Sequence, residues 1–176
     1  MIMPRGQQLL LPANPLFVLL TLIAALFANM VVNISLVGNA AWMPDFLALV
    51  LVFWCVHQPR LVGIGVAFFF GVATDVHQSA LLGQHALTYT ALGFMAIMVH
   101  RRLLWFTVPS QAMQVLPLFV LAHALELTVR MMSGALFPGW TIFLAPLFEA
   151  VLWPVVSVVL LAPQRRAPNP DLNRPL

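Results

Sequence analysis

Seven side chains in this 176-residue chain could hold, pair or exchange a proton inside an otherwise apolar background: Asp45, Asp75, His85, His123, Glu126, Arg130 and Glu149. Glu126 and Arg130 stand four apart with the acid first, the favourable order for an ion pair along one helix face, and His123 falls on that face one turn earlier. Arg130 is expected to neutralise Glu126. Glu149 then needs a partner, and Arg130 or His123 from the neighbouring helix is the natural candidate. A charged group near mid-membrane costs about 2.5 to 3.5 kcal/mol, so such groups are expected to face the bundle interior and pair. Two compatible readings follow: internal bonds that fix helix register, or a polar outward-facing pocket that accepts a ligand or a partner helix.

Catalysis is not expected from these residues. The chain has no His-Glu-x-x-His zinc signature, no Gly-x-Ser-x-Gly elbow, and no serine or cysteine beside a plausible base. Asp75, His77 and His85 do not match the spacing of a standard metal site, so neither a metal nor a cofactor is expected. The single Cys55 excludes an intrachain disulfide.

The elements that must position these groups are read from composition. With 62% hydrophobic and 7% charged residues, the chain is far too apolar for a soluble domain, and one integral membrane domain over residues 1–162 is expected. Its net charge of +3 is no nucleic-acid signal, because the arginines are scattered at helix ends. Six apolar stretches are expected to cross the bilayer: 16–36, 40–57, 60–76, 79–99, 112–132 and 140–162. Pro15 opens the first, which is long for a signal-peptide core and lacks a small-x-small cleavage site. His57-Gln58-Pro59-Arg60 suits a tight turn, and the two flanking stretches are so short that one of them fits a thinned or re-entrant arrangement. Residues 103–110, with Trp105 and Phe106 beside Arg101 and Arg102, suit the headgroup zone or an ordinary connection. The tail 163–176, with four prolines, two asparagines and three arginines, is expected to be disordered.

Orientation follows from the arginines. Arg5, Arg60, Arg101, Arg102, Arg165, Arg166 and Arg174, seven of the eight basic residues, fall on one side of an up-and-down reading. The positive-inside rule makes that side cytoplasmic and puts both termini there. Asn29, Asn33, Asp45, Asp75, His85, Glu126, Arg130 and Glu149 then gather in the outer half.

Three segments carry a resemblance: Pro44-Asp45-Phe46, Gly71-Val72-Ala73-Thr74-Asp75, and Leu82-Gly83-Gln84-His85-Ala86-Leu87. Together with six short spans they resemble the rod shape-determining protein MreD family over almost the whole chain. Many members carry a glycine where this chain has Ser79. The resemblance implies a non-enzymatic part in the bacterial elongation (Rod) complex, which builds lateral peptidoglycan in the inner, cytoplasmic membrane. It implies direct pairing with MreC, a single-span protein with a periplasmic domain, and wider association with MreB, RodZ, RodA and a class B penicillin-binding protein. It also implies a fold similar to the six-helix substrate-binding subunits of energy-coupling-factor transporters. The MreC helix is expected to pack against a groove offering Gly63, Gly65 and Gly71 or the aromatic faces of later helices. Asp45, Asp75 and His85 are expected either to shape the outer mouth or to contact the start of MreC's periplasmic segment, with Gly83 among the partner or pocket residues. A small-molecule carrier is the rival reading, with Pro146 and Pro154 supplying a helix break around Glu149.

Overall fold

The computed structural model describes residues 13–35 and 42–164, among which six α-helices follow one another without a strand. They are α1 Pro15–Ser35, α2 Phe46–His57, α3 Ile64–Gln78, α4 Gln84–Leu103, α5 Val108–Met132 and α6 Leu144–Leu161. Single 3-10 turns, Trp140–Phe143 and Ala162–Gln164, bracket α6.

Local chemistry sets the boundaries. Asn14 accepts the Leu16 amide at 3.0 Å just ahead of Pro15, whose missing N–H costs nothing in a first helical turn. Pro44 disfavours a helical residue before it, and extended Asp45 caps α2 by accepting the Ala48 amide at 3.0 Å. The second stretch is therefore helical for 12 residues only, about 18 Å against a hydrocarbon core of about 30 Å. Residues 40 and 41 lie outside the described segments.

The third and fourth helices begin later than the apolar pattern predicts. Ser79, at φ 50°, is left-handed and ends α3, and Gly83, at φ 103°, introduces α4. Five residues thus form a turn where a continuous span was expected from 79. At the other end, Pro109 fits the first turn of α5, so 108–110 are helical and the expected connection at 103–110 shrinks to 104–107.

Short α2 is the centre of the bundle. It packs against α1, α4 and α6, and Leu47–Val56 are buried except for Val50, which is partly so. Trp54, Trp153, Phe53 and Phe119 fill the space around it. Outward faces are apolar as well: Leu19 and Phe27 on α1, Phe68 and Phe69 on α3, and Val151 and Val155 on α6 are exposed. Surfaces of this kind suit lipid rather than water. Three stretches are long and apolar enough to cross a membrane, Pro15–Asn33, Val108–Met132 and Trp140–Gln164, with α2 a shorter apolar helix. The chain is a membrane protein.

Pro154 lies inside α6 without interrupting it, and Pro146 sits in the first turn, so the expected break around Glu149 is not formed. Of the tail expected to be disordered, Pro163 and Gln164 close a 3-10 turn with Gln164 buried. Residues 165–176, like Arg5, lie outside the described segments.

Candidate functional site

Antiparallel connections bring the end of α1, the starts of α2, α4 and α6, and the ends of α3 and α5 to one end of the bundle. All four carboxylates of the described residues are there. Arg60, Arg101 and Arg102 lie at the opposite end.

Asp45 is the hub. Its Oδ1 accepts Asn29 Nδ2 at 2.6 Å, its Oδ2 accepts the hydroxyl of Tyr89, and its own backbone N–H donates to Glu149 Oε1 at 2.9 Å. Asn29 closes the loop by accepting the Phe46 amide at 2.9 Å. Four helices, α1, α2, α4 and α6, are thus tied through one capping residue.

Asp75 is a second, separate clasp. From α3 it accepts Gly83 N at 2.8 Å, His85 N at 2.7 Å, Ala86 N at 3.2 Å and His85 Nδ1 at 2.8 Å. Those amides are the unpaired donors at the start of α4, where a negative charge is most favourable. Every acceptor position of the carboxylate is occupied from within, so Asp75 does not reach the outer mouth. Gly83 contributes a left-handed backbone and an amide to this clasp.

The two histidines face acids in parallel ways. A carboxylate or carbonyl oxygen only accepts, so Nδ1 of His85 must donate to Asp75, and Nδ1 of His123 to the Phe119 carbonyl at 3.0 Å. Each Nε2 is left turned toward a glutamate: His85 to Glu126 at 3.7 Å, His123 to Glu149 at 3.5 Å. Glu149 therefore takes His123, not Arg130, from the neighbouring helix. Its Oε2 is fully buried and has no hydrogen-bond partner. Arg130 stands 4.0 Å from Glu126, a loose pair with the guanidinium partly exposed, and Gln84 Nε2 donates to the same glutamate at 3.2 Å.

These groups border a cavity of about 300 Å³. Asn33, Gln78 and Ser79 stand at it beside Asp45, His85, His123, Glu126 and Arg130. Asp75 and Glu149 lie behind its wall rather than on it. No cluster able to hold a metal ion occurs among the described residues.

The family model for rod shape-determining protein MreD matches residues 11–162. The chain belongs to the MreD family. The rod shape-determining protein MreD of Haemophilus influenzae (strain ATCC 51907 / DSM 11121 / KW20 / Rd) is 28% identical over 134 residues, covering 74% of this chain and 80% of that protein. No solved structure matches. Membership assigns the chain to rod-shape determination.

The segments that resemble MreD now have a structural content. Gly71 is required by the α3–α4 crossing, where an added Cβ would come within 2.7 Å of the Ala86 amide nitrogen and the His85 carbonyl oxygen. Gly71, Asp75, Gly83, His85 and Ala86 are one joint between two helices. Ser79 occupies a left-handed position, a conformation costing roughly 1–2 kcal/mol for a residue with a side chain.

Of the glycines expected to serve a partner, Gly71 is consumed inside the bundle, Gly63 precedes α3, and Gly65 faces open space. Sequence reasoning passed over Tyr89, the only tyrosine of the chain, although it lies one turn beyond His85. It also passed over the buried pair Trp153 and Gln111, whose indole N–H and side-chain oxygen meet at 3.2 Å. A lone polar atom on an apolar face was the available signal in each case.

Proposed function

We propose that this chain is a non-enzymatic component of the bacterial cell-elongation (Rod) complex that binds MreC directly and supports lateral peptidoglycan synthesis. In this reading α1 to α6 all cross the inner membrane, short α2 enclosed by its neighbours. Both termini are cytoplasmic, and the arrangement is similar to the substrate-binding subunits of energy-coupling-factor transporters. MreB, RodZ, RodA and a class B penicillin-binding protein are the wider partners.

The observation that supports it is the division of labour at the polar end. Asp45, Asp75 and Glu149 are committed to holding helices together, whereas Gln78, Asn33 and Ser79 border an open cavity with no side-chain hydrogen bond to any other described residue, beside Arg130 with its loose pairing to Glu126. With helices making up nearly all of the described residues, such a mouth and the helix faces are the surfaces they offer a partner. The segment of MreC that follows its membrane helix is the proposed occupant. The cavity also favours the second reading, a small-molecule binding subunit, because the buried polar side chains Gln84, His85 and His123 face it.

Extraction of the tagged chain from its own membranes in mild detergent separates the two. Near-stoichiometric MreC in the eluate, with loss of rod shape in cells lacking the chain, is the expected result. An ATPase module or a retained metabolite in place of MreC would favour the binding subunit.

A further inference from the structure

Charge is segregated along the bundle. Among the described residues every carboxylate lies in the polar network, and Arg60, Arg101 and Arg102 at the opposite end make no ion pair. Two of these arginines are adjacent on the last turn of α4 and border a shallow cavity of about 500 Å³ completed by His100, Leu104 and Trp105. Trp105 is 90% exposed, and Leu104 and Phe106 are exposed beside it. The site therefore sets guanidinium groups that meet no carboxylate among the described residues against apolar and aromatic walls.

From this geometry we propose that the α4–α5 turn is a binding site for one anionic phospholipid, its phosphate held by Arg101 and Arg102 and its glycerol and upper acyl region lying against Leu104 and Trp105. Guanidinium presents a planar fork of donors that matches phosphate oxygens, and it is less strongly hydrated than an ammonium group. An indole at the edge of a membrane sits comfortably at headgroup level, which favours a lipid over a soluble phosphate.

The walls are built rather than loose. Leu104 N–H donates to His100 O at 3.1 Å, Trp105 N–H to Arg102 O at 3.2 Å, and Phe106 N–H to Leu103 O at 3.1 Å. Gln111 Nε2 then donates to the Phe106 carbonyl at 3.0 Å, while its Oε1 accepts the indole N–H of Trp153 on α6 at 3.2 Å. The turn that carries Trp105 is thereby fastened to the bundle core. This proposal rests on the membrane reading and is independent of MreC.

Native mass spectrometry of the full chain, released from nanodiscs containing equal phosphatidylglycerol and phosphatidylethanolamine, tests it. One phosphatidylglycerol per chain is expected to survive release, with phosphatidylethanolamine lost. Each arginine contributes about fivefold, so Arg101→Gln with Arg102→Gln should weaken retention about twenty-five-fold, whereas Arg60→Gln leaves it unchanged. If the double variant does not fold, Trp105→Ala serves in its place and should reduce retention several-fold. Equal retention of both lipids, retention indifferent to these substitutions, or displacement by millimolar inorganic phosphate would overturn the proposal.

Discussion

Asp75 on α3 and His85 on α4 are joined twice through one oxygen, Oδ1 accepting the backbone N–H of His85 at 2.7 Å and its imidazole Nδ1–H at 2.8 Å. The first bond caps the helix and the second fixes the ring, so the remaining nitrogen is aimed at Glu126. One carboxylate both starts α4 and orients a wall of the cavity. Asp75→Ala removes the acceptor of three amides and one imidazole in a buried site, and should cost about 3–5 kcal/mol. Thermal unfolding in detergent reads this as a large loss of melting temperature, with Asp75→Asn intermediate.

The glycines of α3 should separate cleanly. Gly71→Ala forces a Cβ against the backbone of α4 and should destabilise by about 1–3 kcal/mol, the range for overpacking. Gly65→Ala meets nothing within 4 Å and gains up to about 1 kcal/mol of helix propensity, so it should be neutral or stabilising. Melting of the two variants side by side checks the assignment of Gly71 to the internal joint.

Glu149 should tolerate loss of charge but not loss of its oxygen. Glu149→Gln keeps an acceptor for the Asp45 amide and brings no ionisable group to the buried position where Oε2 is unpartnered, so stability should hold or rise. Glu149→Ala strands that amide and should cost about 1–3 kcal/mol for the unpaired donor alone. An equal loss in both variants would show that the charge itself is needed.

Tyr89→Phe deletes one hydroxyl from the Asp45 hub. It leaves a carboxylate oxygen without its donor in a part-buried place, a loss of about 1–3 kcal/mol. The same substitution should leave α3–α4 packing intact, which limited proteolysis of the Ser79–Gly83 turn would report as an unchanged pattern.

That the charged residues of the apolar stretches share one end of the bundle was legible from sequence, because charges are few and successive stretches run in opposite directions. Asp45, His85, Glu126, Arg130 and Glu149 were placed at one end on that ground alone, and the i,i+4 spacing of Glu126 and Arg130 read correctly as a pair. Partner choice between helices was not legible. Glu149 takes His123 and the Asp45 amide rather than Arg130, because the crossing of α5 with α6 and the approach of the α2 start are set by packing, which no periodicity records. The shortness of the second stretch was legible, but its helix is shorter still, since Pro44 and the capping Asp45 delay its start to Phe46. Gly71 and Gly65 looked equivalent in sequence, and only the position of Ala86 distinguishes them.

A photo-crosslinking residue at Ser79, which is exposed on the cavity rim, tests whether the polar-end cavity receives the part of MreC next to its membrane helix. Illumination of cells and peptide mapping of the adduct should give crosslinks to the MreC segment just outside the membrane. Copurification of MreC without any adduct from Ser79, or adducts mapping to the cytoplasmic end of MreC, would contradict it.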